Sequence, residues 1–165
     1  MNPRIDAQAE KIKLFITDVD GVLTDGRIVL GNDGEELKFF HVHDGLGIKL
    51  AQQAGIKTAI ITGRESELVA RRAGELEISE VHQNIKDKLE VFANLLAKYD
   101  ISEENVAYIG DDLNDLPILK KVGLSLTVAN GVQAVKDEVD YTTEKEGGQG
   151  AVREVIELIL AAQDK

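Results

Sequence analysis

The stretch Lys13-Leu14-Phe15-Ile16-Thr17-Asp18-Val19-Asp20-Gly21 decides the fold of this 165-residue chain. Lys13 to Thr17 is a short apolar run that halts at acidic residues and glycine, as a strand buried in a parallel sheet does. Working outward, Thr58 to Thr62, Val106 to Ile109 and Leu124 to Val128 repeat that pattern, with a further short strand near Val81. Between them the spacing of apolar residues predicts helices over Leu46 to Ala54, Ser66 to Leu76, Lys86 to Tyr99 and Leu116 to Val122. Leu89, Phe92, Leu96 and Tyr99 are expected in the core. A last helix carries one apolar stripe of Val152, Val155, Ile156, Ile159 and Leu160.

Strands alternating with helices imply right-handed crossovers and an α/β fold, a doubly wound, Rossmann-like parallel sheet covered on both faces. Arg27 to Leu30 and Glu35 to His41 flank Gly31-Asn32-Asp33-Gly34 and read as a β-hairpin after the first strand. His41 and His43 then lie at strand spacing on one side of that hairpin, as surface or interface residues. The expected organisation is a single domain over 1–165. Residues 1–11 are read as flexible, Glu146 to Gly150 as a flexible link, and 146–165 as a C-terminal segment and helix.

A formal net charge of −11 argues against a nucleic-acid partner, which would require a basic face. The chain has no cysteine, so disulfides and thiolate metal sites are excluded. No apolar run approaches a membrane span, and the polar start lacks the apolar stretch of a signal peptide, so a cytoplasmic location is expected.

In such a sheet ligands bind beyond the carboxyl ends of the strands. Those ends carry Asp18-Val19-Asp20-Gly21-Val22-Leu23-Thr24-Asp25, Thr62-Gly63-Arg64 and Gly110-Asp111-Asp112-Leu113-Asn114-Asp115. Clustered carboxylates repel one another unless a cation compensates, and oxygen-only ligands suit magnesium, which usually completes its shell with substrate phosphate. Gly63 and the glycines near Asp20 let backbone N–H groups approach an anion, Thr62 offers a hydroxyl, and Lys88 offers a point charge from a helix start. Duller readings compete: a turn for Thr62, solvent for Lys88, and solvent or capping for Asp25 and Asp112.

Taken together and in order, Asp18-Val19-Asp20-Gly21-Val22-Leu23-Thr24, Thr62-Gly63-Arg64, Lys88 and Gly110-Asp111-Asp112-Leu113-Asn114-Asp115 resemble the four motifs of the haloacid dehalogenase superfamily. The resemblance implies that Asp18 is a nucleophile forming an aspartyl phosphate and that Asp20 is the general acid and base. It implies that Thr62 and Lys88 bind phosphate, and that Asp18, Asp20 through its carbonyl, Asp111 and Asp115 hold magnesium. Aspartate rather than threonine at position 20 implies hydrolysis rather than a persistent phosphoenzyme. Only a hairpin and a helix fit between the first two motifs, and only a helix and a short strand between Thr62 and Lys88, so no cap domain is expected.

The hairpin and Gly147-Gly148-Gln149-Gly150-Ala151-Val152-Arg153-Glu154 are similar to the capless 3-deoxy-D-manno-octulosonate 8-phosphate phosphatase family. That likeness implies a magnesium-dependent phosphatase acting on a small sugar-acid phosphate, with a place in lipopolysaccharide biosynthesis. It also implies a homotetramer with hairpins at its centre and active sites covered by neighbouring subunits. Gly63, Arg64 and Arg72 would then contact substrate, Arg72 from an adjacent subunit. A nononate 9-phosphate phosphatase, a non-catalytic receiver-like domain and an inactive regulatory relative are the alternatives. Arg64 favours the octulosonate members over the nononate ones, and Thr62 ending a middle strand speaks against a receiver.

Overall fold

The computed structural model describes residues 3–165. It begins with helix α1 (Pro3–Ala9) and strand β1 (Leu14–Thr17), followed by a hairpin of β2 (Val29–Leu30) and β3 (Glu36–Leu37). Then come α2 (Val42–Gln53), β4 (Lys57–Ile61), α3 (Glu67–Glu75), β5 (Glu80–His82) and α4 (Lys88–Tyr99). The second half runs β6 (Val106–Ile109), α5 (Leu116–Leu119), β7 (Leu124–Thr127), α6 (Gln133–Lys136), β8 (Tyr141–Thr142) and α7 (Ala151–Ala162).

The six-stranded sheet is ordered β5-β4-β1-β6-β7-β8, and every pairing in it is parallel. The chain winds outward from β1 to β5, returns to β6 and winds the other way. The reversal falls between β1 and β6, where an open parallel sheet leaves a crevice at its carboxyl edge.

Alternation along the central strands feeds two cores. Phe15, Ile60, Ala107, Ile109 and Leu126 pack on one face with Val152, Val155 and Ile156 of α7. Leu14, Ile16, Ile61 and Tyr108 pack on the other with Phe92 and Leu95 of α4 and with Ile118. Burying each such side chain contributes roughly 1.5–3 kcal/mol before chain entropy is counted. Leu95 is thus a deeper residue of α4 than Leu89, Leu96 or Tyr99, which are only partly buried.

Four expectations need correction. The first helix after the hairpin starts at Val42, not Leu46, because the side chain of His41 accepts from the His43 amide (3.2 Å) and caps it. His41 and His43 therefore sit at a helix start, their rings in edge contact, and the hairpin pairs only at Val29 with Leu37 and Leu30 with Glu36. Gly45 and Gly47 mask this start in the sequence. They are small for close packing: a Cβ on Gly47 would stand 3.1 Å from Arg153 Cα of α7.

Residues 3–9 of the segment read as flexible are helical, with Ile5 and Ala9 buried and α1 packed against α7; Met1 and Asn2 lie outside the described residues. The Glu146 to Gly150 link is pinned, since Gly147 N donates to Asn130 Oδ1 (2.9 Å) and Gly148 N to the Val22 carbonyl (2.9 Å). Its glycines serve close approach, not freedom. Finally, the helix expected over Leu116 to Val122 starts at Leu116 as α5 but ends at Leu119, and a one-turn 3-10 segment (Leu113–Asp115) leads into it.

Candidate active site

Asp18 follows β1 directly, its amide bonded to the Ile109 carbonyl (3.1 Å), so both central strands fix its position. The chain then turns tightly. The Val19 carbonyl accepts from Val22, Leu23 and Thr24, and Thr24 Oγ1 accepts from Gly21 N (3.3 Å) and Gly26 N (3.2 Å). Gly21 has φ +88°, and a Cβ there would stand 2.0 Å from Asp111 Oδ2. Glycine is what lets the loops after β1 and β6 meet.

Lys88, at the start of α4, is almost fully buried. Its Nζ lies 2.8 Å from Asp18 Oδ2, 2.7 Å from Asp115 Oδ1 and 3.3 Å from the Tyr108 hydroxyl. Asp87 caps that helix, accepting from Leu89 N (3.0 Å), which aims the first turn at the end of β1. Burial opposes the Lys88 charge, but Asp18 and then Asp115 outweigh it and hold its pKa above the ordinary lysine value.

Asp115 is fully buried and saturated. Oδ1 accepts from Lys88 and from the Tyr108 hydroxyl (2.6 Å), and Oδ2 from the amides of Asp111 (3.0 Å) and Asp112 (3.2 Å). Four donors meet the four lone-pair sites of an ionised carboxylate. Asp112 caps the 3-10 turn through Leu113 N (2.7 Å).

Carboxylate oxygens of Asp18, Asp111 and Asp115 all lie within 4.8 Å of one another. Burial first, then Asp115, push the Asp18 carboxyl up to about 6. Burial, then Asp18, Asp115 and Asp112, push that of Asp111 to about 7. The single Lys88 ammonium does not balance three carboxylates, and their all-oxygen donor set fits a hard divalent cation.

Asp18, Asp20, Thr62, Gly63, Arg64 and Asp111 line one cavity of about 280 Å³, together with Gly26, Asp112 and Asn114. The Thr62 amide donates to His82 O (2.9 Å), which places its side chain just past the end of β4. Arg72 stands elsewhere. It pairs with Glu75 Oε2 (3.1 Å) on α3 and lines separate recesses beside Phe40.

Three groups escaped the sequence reading. Tyr108 sits inside an apolar strand and reads as core. Lys38 follows β3 with its side chain 2% exposed and its Nζ 2.5 Å from Asp20 Oδ1. Glu36 joins Lys38 (3.5 Å), Arg64 (3.2 Å) and Ser66 Oγ (2.7 Å). The available signal was the alternation Glu36-Leu37-Lys38-Phe39, in which the charges face the site and Leu37 and Phe39 are 55% and 64% exposed.

The sequence profile of haloacid dehalogenase-like hydrolases matches residues 74–156. The 3-deoxy-D-manno-octulosonate 8-phosphate phosphatase of Salmonella typhimurium is 50% identical over 165 residues, covering 100% of this chain and 88% of the relative. That of Escherichia coli K12 is 52% identical over 159 residues, 96% of this chain and 85% of the relative. This chain belongs to the 3-deoxy-D-manno-octulosonate 8-phosphate phosphatase family.

Membership in the octulosonate 8-phosphate phosphatase family makes it a phosphoric monoester hydrolase of haloacid dehalogenase type. The fold agrees. A Moraxella catarrhalis member, crystallised with magnesium ion, phosphate ion and a KDO molecule, superposes with a TM-score of 0.97 at 48% identity. That match covers 99% of this chain and 94% of the other. The receiver-like alternative gives way to this membership.

Proposed function

We propose that the chain hydrolyses 3-deoxy-D-manno-octulosonate 8-phosphate in the cytoplasm, through an aspartyl phosphate on Asp18, as a step in lipopolysaccharide sugar supply. The observation that carries this reading is the convergence of Asp18, Asp20, Thr62, Arg64 and Asp111, from three strand ends, on one cavity. The solved relative supports the substrate and the metal, since its crystal holds magnesium, phosphate and the product sugar acid.

Asp18, held by Val19 N at 2.6 Å and by Lys88, presents its carboxylate to phosphorus. Asp20 gives a proton to the departing sugar oxygen and then takes one from the water that hydrolyses the intermediate. Thr62, the Gly63 backbone and Lys88 hold phosphate oxygens as their charge grows, and Arg64 meets the sugar acid. Magnesium, held by Asp18, the Asp20 carbonyl and Asp111, would offset the negative charge of this pocket and of the phosphate. Asp115, its four lone-pair sites taken up by protein donors, holds Lys88 and the Asp111 loop in place beside the metal.

Among the described residues no cap domain stands over the cavity, while Ile28, Leu30, Leu37, Phe39, Val42 and Leu46 are all exposed on the hairpin and the start of α2. This cluster supports association with further copies of the chain, as a homotetramer, with Arg72 reaching a neighbour's site. The glycine segment at 147–150 packs on its own chain's first loop, so any cover it gives a neighbour comes from beyond these contacts.

Phosphate release from a panel of sugar-acid phosphates, with and without magnesium, tests the substrate. Magnesium-dependent turnover favouring the octulosonate is expected. Preference for a nononate 9-phosphate would replace the substrate and leave the chemistry.

A further inference from the structure

The hairpin does more than present an apolar face. Glu36 in its second strand and Lys38 just after it turn inward, and Lys38 is bonded to the residue read above as the leaving-group acid. Lys38 Nζ lies 2.5 Å from Asp20 Oδ1, with the lysine side chain 2% exposed and that of Asp20 24% exposed. A lysine stem loses close to its full rotamer freedom when it is fixed in one place. Here it is fixed between two carboxylates, Asp20 and Glu36. Glu36 is itself tied to Arg64 and to Ser66 Oγ, the N-cap of α3, so the lysine is held from both the hairpin and the loop after β4.

We propose that Lys38 is a positioning residue that fixes the orientation of the Asp20 carboxyl for proton delivery to the leaving oxygen. The proposal rests on the reading of Asp20 given above. In the step concerned, an Asp18 oxygen bonds to phosphorus, the bond from phosphorus to the leaving oxygen breaks, and the Asp20 proton passes to that oxygen. Asp20 lies in the tight loop after β1, and its side chain is less buried than those of Asp18 and Asp115. Asp20 lines the cavity, and with Oδ1 held by Lys38, Oδ2 is the oxygen left to carry the proton. Misplacing a proton donor by about 1 Å costs on the order of 100-fold in rate.

The test is the leaving-group dependence of kcat/KM, which covers only the steps through departure of the leaving group, measured with magnesium on substituted phenyl phosphates. These substrates differ in how much they need a proton and not in any sugar contact. Lys38→Met is expected to lose about 10-fold on phenyl phosphate and less than about 2-fold on p-nitrophenyl phosphate, whose leaving group departs readily unprotonated. Asp20→Asn should show the same selectivity more strongly, and Lys38→Arg should recover most of the loss. The ratio between two substrates within one variant does not depend on how much of that variant is folded.

An equal loss on both substrates, or none on either, while Asp20→Asn remains selective, would overturn the role of Lys38 alone. An Asp20→Asn variant without selectivity would overturn the assignment of Asp20, and the role of Lys38 with it.

Discussion

Lys88 Nζ stands 2.8 Å from Asp18 Oδ2, a salt bridge with both side chains less than a tenth exposed. Because Asp115 holds the same ammonium at 2.7 Å, one cation serves two carboxylates, and the lysine cannot swing away from the nucleophile without abandoning Asp115. Breaking a buried pair by removing one partner leaves an uncompensated charge and costs about 3–5 kcal/mol. Lys88→Met should therefore lower the midpoint in urea unfolding. It should also lower kcat by at least about 100-fold, since the role proposed above for Lys88, a donor to the transferring phosphoryl group, is lost. Circular dichroism melts and phosphate-release kinetics on one preparation separate the two effects.

The raised carboxyls at Asp18 (about 6) and Asp111 (about 7) set a pH dependence for the metal-free protein. Their ordinary value is 3.8, so between about pH 4 and 7 the folded state binds more protons than the unfolded one. Stability from these groups is present at the acid end of that window and is lost as the pH rises through it. Glu36 and Glu80, held below their ordinary 4.5, act in the opposite sense, but below that value. Differential scanning fluorimetry should show the metal-free midpoint falling from pH 5 to pH 7.5, with magnesium raising it more at pH 7.5. A larger magnesium effect at pH 5 would contradict this account.

A Cβ at position 147 would stand 1.8 Å from the Gly21 carbonyl oxygen, and that neighbour is backbone, which cannot rotate aside. Gly147→Ala should displace the Asp18 to Thr24 loop, although residue 147 lines no part of the cavity. Activity should fall at least 10-fold, by the cost of misplacing a reacting group. Gly74→Ala, with open space at its Cβ, is the control and should match the wild type.

Leu37 at the end of β3 and Phe39 just after it face solvent, alternating with Glu36 and Lys38, which turn inward. Phe39→Glu should convert an assembled species to monomer in analytical ultracentrifugation while the isolated fold keeps its melting cooperativity. A wild type that sediments as a monomer with full activity would remove the proposed assembly.

Period and strand ends made most of this fold legible. Leu14 to Thr17, Lys57 to Ile61 and Val106 to Ile109 are short apolar runs ending in polar residues, and those ends are where Asp18, Thr62 and Asp111 stand. What escaped depends on tertiary contact. The start of α2 was hidden by Gly45 and Gly47, whose value lies in close packing on Arg72 and α7 and not in helix propensity. Helix α6 and strand β8 are too short, at four and two residues, to carry a period. Lys38 looked like an ordinary strand charge, and only the fold brings it 2.5 Å from a carboxylate 18 positions earlier. Tyr108 is a core residue by every local criterion, and its hydroxyl matters only because Asp115 and Lys88 arrive from other elements.

The most direct test of the central claim is an acid quench of the enzyme during turnover of octulosonate 8-phosphate with magnesium, followed by borohydride reduction and peptide mass spectrometry. The account predicts homoserine at position 18, formed as borohydride reduces the aspartyl phosphate and expels phosphate, absent from Asp18→Asn, which should also release no phosphate in turnover. Full turnover by Asp18→Asn, or an adduct on another residue, would contradict it.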